Sequence, residues 1–242
     1  MPLVSTRRPD PLQLTRAGGA GAKPIDPRPL EAEIRSALAT GADVPGRIQD
    51  GPTCGLYALG MVMDFFDVKD STNLNPLVQA SDATRRGAHS RAPDSQDLLF
   101  ETAKASGYTT QGEMFHTAQL AQLARQFGYE ATVTEEFTFE HLKASVDRGN
   151  PALVGFDVDD AGNPGNFEGL RAHWAVVEGY FEKDGVDYVV ATHGWTGAEY
   201  VWRASDLIDS AHQLKRSNFP AAPSDISQTI GARMIEVADP TP

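Results

Sequence analysis

Residues 49–55 read QDGPTCG, and residues 56–66 continue as LYALGMVMDFF. The Gly-Pro-Thr sequence is typical of a turn, and the apolar stretch after it predicts a helix that is buried nearly all round. Thr53 belongs to a residue type that caps helices, so Cys54 is predicted to lie in the first turn. Glycines at positions 51 and 55 let backbone or substrate approach the cysteine closely.

Cys54 is the single cysteine of the chain, which excludes an internal disulfide and a cysteine-rich zinc site. The thiolate is the reactive form of cysteine, and the free N–H groups and dipole of a helix N-terminus stabilise it. We therefore predict that Cys54 is a nucleophile. The alternative is that it packs as a small buried hydrophobic residue.

A cysteine nucleophile needs a nearby imidazole to take its proton. Among the six histidines, His173 begins an apolar strand that reads HWAVVEGY, and it is the predicted general base. The alternative is a half-buried histidine at the start of a strand. His89, His116 and His141 have no paired ligand spacing, so we predict neither a metal site nor another cofactor.

Two further residues complete the predicted catalytic group. Gln49 lies five residues before Cys54, and its amide is predicted to join the Cys54 N–H in an oxyanion hole. His193 ends the next predicted strand and is the candidate for orienting His173, with Asp157 and Asp159 in reserve. His193 would have to stay neutral in that role, which predicts a loss of activity below about pH 6.5.

The order of the predicted elements indicates an α+β fold, with a helical N-terminal half and an antiparallel sheet in the second half. A glutamine and cysteine at a helix start, then a histidine on a strand, then a polar residue after the next strand, is the papain-like order. Residues 1–29 are rich in proline and glycine and predict a flexible tail, whereas residues 30–242 form the predicted hydrolase domain. The helices are expected at 30–38, 54–66, 94–105, 117–127, 139–147 and 205–212, and the strands at 152–158, 174–181, 188–192, 199–202 and 233–237.

The composition limits the partners that we expect. A net charge of −12 repels nucleic acid and anionic membranes, so the expected partner is a protein or peptide substrate. No apolar run approaches the roughly 18 residues of a membrane helix, and residues 1–10 lack the apolar core of a secretory signal. We expect a cytoplasmic protein, with export as an effector that has no signal peptide as the other route.

Three stretches carry a resemblance to a known family: residues 49–56, residues 172–176 (AHWAV) and residues 107–115 (GYTTQGEMF). They resemble motifs of the actin maturation protease family, and residues 206–219 are a weaker match. The resemblance implies a papain-like fold related to the C39-type peptidases and removal of an acetylated N-terminal residue from actin. It also implies that Gln49, Cys54 and His173 carry the family's catalytic roles.

Glu113, Trp174 and Trp195 are the candidates for substrate binding. Glu113 would attract a basic or N-terminal group, although a charge that organises a turn before a helix is the simpler interpretation. The tryptophans stand at strand ends, where core packing is the alternative, and Trp195 could also shield the catalytic pair from water.

Three functions are compatible with these residues. The first is a papain-like cysteine peptidase that trims protein N-termini, in effect an aminopeptidase. The second is a glutamine deamidase or acyl transferase, which would use the same Cys-His chemistry. The third is a binding module on a catalytically inactive scaffold, although such a scaffold would not need Gln49, Cys54 and His173 together.

Overall fold

The computed structural model describes residues 25–69 and 95–239. Most of the predicted tail therefore lies outside the described residues. The same holds for the first residue of the helix predicted at 94–105.

Helices dominate the first half of the described chain and return beside the sheet in the second half. A 3-10 turn, Arg28–Leu30, leads into the first helix. The helices are α1 (Glu31–Thr40), α2 (Cys54–Lys69), α3 (Ser95–Ala105), α4 (Thr117–Gln126), α5 (Phe139–Asp147) and α6 (Ala204–His212). Among the described residues no helix has the length and apolar character needed to cross a membrane.

The strands form one antiparallel sheet. They are β1 (Glu130–Glu135), β2 (Ala152–Val158), β3 (Pro164–Gly165), β4 (Ala172–Lys183), β5 (Val186–His193), β6 (Glu199–Arg203) and β7 (Arg233–Ala238). Their order across the sheet is β1-β7-β2-β4-β5-β6, and β3 pairs with β2 beside this path. Asp184-Gly185, a dipeptide that favours a tight hairpin, forms the turn between β4 and β5, and both residues adopt positive φ values of 55° and 73°.

Helices cover both faces of the sheet. Trp174 and Val176 on β4 belong to a core shared with α2, α3 and α4, whereas Ala175 and Val177 belong to a second core shared with α5 and α6. This alternation follows from the two-residue period of a strand. Because both faces of the sheet are covered, the central strand β2 is buried at every position.

The predicted α+β class is confirmed, and the helix that begins at Cys54 packs on the strand that carries His173. The sequence did not predict β1, which precedes α5, so helices and strands alternate within the second half of the chain. The sequence of β1, EATVTE, gives a weak signal, because three of its six residues are glutamate or alanine, which strands disfavour. Among the described strands, β1 pairs with β7 alone and so forms an edge of the sheet.

Glu178 interrupts the regular pairing of β4 with β5. The register shifts between Val177 and Gly179, which marks Glu178 as the extra residue of a β-bulge. Its fully buried carboxyl accepts hydrogen bonds from the Val44 N–H at 2.9 Å and the Thr192 hydroxyl at 2.7 Å. Glu178 thereby holds the segment between α1 and α2 against the end of β5.

Burial raises the pKa of Glu178 to about 8, and its two hydrogen bonds act in the opposite direction. The folded protein therefore keeps a proton that the unfolded chain releases near pH 4.5. This contribution to stability is present at low pH and is lost as pH rises towards 8. The part of this stability that is lost between about pH 6 and 8 amounts to roughly 2 kcal/mol.

We predict that Glu178→Gln flattens the pH dependence of unfolding. The glutamine keeps the shape of the protonated acid but cannot ionise. The free energy of unfolding of the variant should therefore fall less than that of the wild type between about pH 6 and 8. Urea unfolding at a series of pH values measures the difference. Glu101→Gln removes an exposed carboxylate on α3 and is the matched control. Parallel curves for wild type and Glu178→Gln would contradict the prediction.

Candidate active site

Cys54 is the first residue of α2, as the sequence predicts. The turn before it contains Gly51 with φ of 70°, and the Thr53 hydroxyl donates to the Asp50 carbonyl at 2.6 Å. Thr53 thus precedes the helix in the expected place, but its hydroxyl fastens the turn. The backbone N–H groups at the helix start stay available to the thiol.

The start of α2 lies directly against β4. A Cβ atom added at Gly55 would come within 3.0 Å of Met114 and 3.1 Å of the Trp174 ring, so a larger residue would push the helix away from the strand. The N–H of Trp174 is close enough to Cys54 to lower the pKa of the thiol. Because Trp174 follows His173 in the chain, the thiol of Cys54 lies at the backbone N–H of the residue next to the predicted base.

His173 and His193 form a buried pair. Their exposed fractions are 5% and 0%, and His173 Nε2 lies 3.1 Å from His193 Nδ1. The pairing of β4 with β5 sets His193 opposite Ala175, so it shares a face of the sheet with His173, two residues away. The two histidines that the sequence singles out are therefore in direct contact.

The hydrogen bond of the second ring nitrogen of His193 decides which nitrogens of the two histidines carry protons. His193 Nε2 lies 3.1 Å from the carbonyl oxygen of Gly162, and a carbonyl can only accept a hydrogen bond, so Nε2 must carry the proton. In the neutral ring Nδ1 is then an acceptor, and it receives the Nε2–H of His173. In neutral His173 this leaves Nδ1 unprotonated, and Nδ1 has no hydrogen-bond partner in the described part of the chain.

Aromatic rings enclose the pair. Tyr200 stacks on His193 with a centroid distance of 4.3 Å, and Trp202 and Phe156 lie 5.9 Å from the same ring. Trp195, which is half-buried, lies 5.6 Å from His173 and 5.9 Å from His193. Trp195 thus lies against both rings, and its predicted roles in shielding and in substrate contact stay predictions.

Burial controls the charge of both rings. It lowers the pKa of His193 to about 4, and the hydrogen bond to the Gly162 carbonyl acts in the opposite direction. Burial also lowers the pKa of His173 well below its usual value, and the neighbouring His193 adds to this effect. The ionisation of His193 that the sequence places near pH 6.5 is therefore corrected to a more acidic value, because water is excluded from the ring.

The pKa of the Cys54 thiol is shifted as well. The residue keeps part of its surface in contact with solvent, yet burial raises the pKa of its thiol to about 11. The backbone N–H groups of Trp174, Gly55 and Cys54 act in the opposite direction but do not outweigh burial. This differs from the thiolate that the helix N-terminus alone leads one to expect, because the raised pKa favours a neutral thiol in the resting protein.

Gln49 lies beside the start of α2 and is fixed at both ends. Its backbone N–H donates to the Gly194 carbonyl at 2.7 Å, and its Nε2 donates to the Gly51 carbonyl at 3.0 Å. Its Oε1 is buried against Gly194 and has no hydrogen-bond partner among residues 25–69 and 95–239. The other N–H of this amide remains for another acceptor. The predicted role of Gln49 in an oxyanion hole stays a prediction.

The block at residues 107–115 forms the wall behind the cysteine. Glu113 is 6% exposed, and its carboxylate accepts hydrogen bonds from the Thr109 hydroxyl, the Thr110 hydroxyl and N–H, and the Gln111 N–H. Burial raises the pKa of this carboxyl, but these hydrogen bonds outweigh it and hold the pKa below its usual value. Glu113 therefore organises the turn, and a contact of its carboxylate with substrate stays a prediction.

The same turn packs on the two predicted site elements. Gly112 adopts φ of 107°, and a Cβ atom there would lie 2.3 Å from the Thr53 methyl group. The Met114 carbonyl accepts the indole N–H of Trp174 at 3.0 Å. Trp174 is 2% exposed, so it is a core residue in this structure, and its predicted contact with substrate also stays a prediction.

The two reserve aspartates lie in the segment before His173 and do not contact its ring. Asp157 is fully buried and accepts hydrogen bonds from the N–H groups of Phe167, Gly169 and Arg171. Asp159 accepts from N–H groups of its own loop. Among the candidates that the sequence offers, His193 is the residue that the structure brings to the imidazole of His173.

Sequence reasoning missed two contributors to the site. The carbonyl of Gly162 holds His193, and the ring of Tyr200 stacks on it. A backbone carbonyl leaves no side-chain signature, and the loop at residues 159–163, DDAGN, is recognisable in sequence only as a turn.

Comparisons with known proteins point to one family. Residues 85–181 match the family model described as actin maturation protease-like, C-terminal domain. The resemblance to the actin maturation protease family is confirmed. The actin maturation protease of Mus musculus is 34% identical over 147 residues, which cover 57% of this chain and 34% of the mouse protein. That of Drosophila melanogaster is 28% identical over 173 residues, covering 69% of this chain and 55% of the fly protein.

The matched part of this chain thus spans about a third of the length of the mouse actin maturation protease. Among solved structures, a C39-like peptidase from Bacillus anthracis aligns over 81% of this chain and 94% of its own, with 13% identity and a TM-score of 0.46.

We predict that alkylation of Cys54 in the native protein accelerates with pH up to at least about pH 10. A buried thiol with a raised pKa ionises only at high pH, whereas an unperturbed cysteine has a pKa of about 8.5. The rate of iodoacetamide labelling, followed by mass spectrometry, measures it. Because the chain has one cysteine, the urea-unfolded protein provides the matched control. A labelling rate that is already constant across neutral pH would show a stabilised thiolate instead.

Proposed function

We propose that this chain is a cysteine peptidase with Cys54 as nucleophile and His173 as general base. The observation that carries the proposal is the direction of the proton pathway: the Gly162 carbonyl, His193 and His173 together leave His173 Nδ1 free to accept a proton. The thiol of Cys54 lies against the residue that follows His173. The similarity to proteins named actin maturation protease supports the same chemistry.

In the first step the Cys54 sulfur attacks the substrate carbonyl while its proton passes to His173 Nδ1. The raised pKa of the thiol and the lowered pKa of the imidazole disfavour an ion pair in the resting state. The proton therefore moves as the carbon–sulfur bond forms. The imidazolium then gives this proton to the leaving amine, and a thioester remains on Cys54.

Water hydrolyses the thioester in the second step, with His173 again as the base. During both steps the Nε2–H of His173 donates to His193 Nδ1, which keeps the ring oriented and stabilises its transient positive charge. The backbone N–H of Cys54 and the free Nε2–H of Gln49 are the proposed donors to the oxyanion.

The proposed substrate is a protein N-terminus, and the named relatives make an actin-like N-terminus the first to test. Trp195 is the proposed substrate contact next to the catalytic pair, because it is half-buried and covers both histidines. A deamidase or acyl transferase would form the same thioester and differ in the group that attacks or leaves. A binding module would form no thioester.

We predict that the protein shortens N-termini and that Cys54→Ala abolishes the activity without unfolding the chain. The experiment incubates wild type and variant with actin and with a library of N-acetylated peptides, and reads the products by mass spectrometry. Shortened N-termini in the wild type alone support the proposal. Products with the mass gain of deamidation or acyl transfer would replace it with the second function, and identical spectra for both proteins would leave the binding module.

We predict that His193→Asn retains most of the activity, whereas His193→Ala loses about tenfold or more in kcat. Asparagine Oδ1 can occupy the place of His193 Nδ1 and accept from His173, but alanine cannot. In the wild type the pKa of His193, lowered by burial to about 4, means that activity persists below pH 6.5 and falls near pH 4. In His193→Asn that ionisation should be absent. Equal kcat values and pH profiles for the three proteins would exclude His193 as the orienting residue.

A further inference from the structure

Asp159 holds together the loop at residues 159–163, which joins β2 to β3. Its Oδ1 accepts hydrogen bonds from the N–H of Ala161 at 2.9 Å and the N–H of Asn163 at 2.8 Å. Its backbone carbonyl accepts the Gly162 N–H at 3.1 Å, and its own N–H donates to the Asn163 carbonyl at 2.8 Å. One residue thus makes four hydrogen bonds across a five-residue loop.

The bond from Asn163 to Asp159 also determines the direction of the carbonyl that holds His193. The N–H of Asn163 and the C=O of Gly162 belong to the same peptide group, which is planar and trans, so they point in opposite directions. Fixing the N–H on the Asp159 carboxylate therefore turns the carbonyl towards His193 Nε2.

Among the residues that the structure describes, no other hydrogen-bond partner of the His193 ring selects this tautomer. Its ring is packed against Phe156, Tyr200 and Trp202, which offer apolar faces, and its two hydrogen-bond partners are His173 and the Gly162 carbonyl. If that carbonyl turned away, the proton of His193 could move to Nδ1. His193 would then face the Nε2–H of His173 with a second donor.

We propose that Asp159 is a positioning residue that sets the tautomers of both histidines through the Gly162 carbonyl. The carboxylate fixes the peptide, the peptide fixes the proton on His193 Nε2, and His193 in turn fixes the proton on His173 Nε2. His173 Nδ1 is thereby kept ready to accept the thiol proton of Cys54. The inference rests on the proposed function for its catalytic meaning, but the tautomers can be measured without any activity.

Asp159→Ala removes the acceptor, and Asp159→Asn keeps an oxygen in its place. The matched control is Asp160→Ala, because Asp160 is the exposed neighbour whose carboxylate pairs with Arg171 and does not contact the Gly162–Asn163 peptide. We predict that kcat falls about tenfold in Asp159→Ala with KM little changed, and that Asp159→Asn and Asp160→Ala stay close to wild type.

Nitrogen-15 NMR of labelled imidazoles at neutral pH is the deciding measurement. The wild type, Asp159→Asn and Asp160→Ala should show both rings protonated on Nε2, whereas Asp159→Ala should show a mixture of tautomers at His193. A wild-type His193 protonated on Nδ1, or unchanged tautomers in Asp159→Ala, would overturn the proposal.

If Asp159→Ala does not fold, Asp159→Ser replaces it, since its shorter side chain offers one weaker acceptor and should give a partial shift of tautomer. If no peptidase activity is found, the NMR result still tests Asp159, and slower alkylation of Cys54 in Asp159→Ala replaces kcat as the second readout. Unchanged alkylation with shifted tautomers would confine Asp159 to a structural role.

Discussion

The hydrogen bond between His173 and His193 exists only while the two rings share one proton between Nε2 and Nδ1. Two charged imidazoles could not make this contact, and burial lowers the pKa of both. A carboxylate at the far end would favour the charged form of the pair. The fold instead offers His193 a backbone carbonyl, which orients the ring without adding charge. A neutral partner of this kind keeps the base unprotonated over a wide pH range.

The pair is useful only if the cysteine reaches it, and that depends on how closely α2 approaches β4. Gly55 permits the approach, and the Trp174 indole N–H bonds the Met114 carbonyl of the turn that lies beside Gly55. The turn that supplies Met114 is held by the Glu113 carboxylate and packs on Thr53 through Gly112. The third family motif, which contains none of the proposed catalytic groups, therefore acts as the support that positions the nucleophile.

Much of this arrangement could be predicted from sequence because it is local. The turn before Cys54, the apolar strand after His173 and the Asp184-Gly185 hairpin each have a strong local signal, and each is present. The remaining features arise from tertiary contacts. Burial at Cys54 exceeds the effect of the helix N-terminus, and Glu113 satisfies its carboxylate within its own turn. Neither effect can be judged before the surrounding atoms are known.

The register of β4 and β5 shows how far a local prediction reaches. The tight turn pairs Lys183 with Val186, and this regular register continues to Gly179 and Val190. Continued unchanged, it would set His193 opposite Val176, on the face that carries Trp174. A one-residue slip reverses the side on which a strand presents its side chains, so His173 and His193 would then lie on opposite faces of the sheet.

The bulge at Glu178 prevents this. By adding one residue to β4 it sets His193 opposite Ala175, on the same face as His173. The glutamate and the following glycine are the sequence signal for it, because both are unusual in the middle of an apolar strand. The buried carboxyl of this extra residue needs hydrogen-bond partners, and the Val44 N–H and the Thr192 hydroxyl supply them. The contact between the two histidines therefore depends on a protonated carboxyl that touches neither ring.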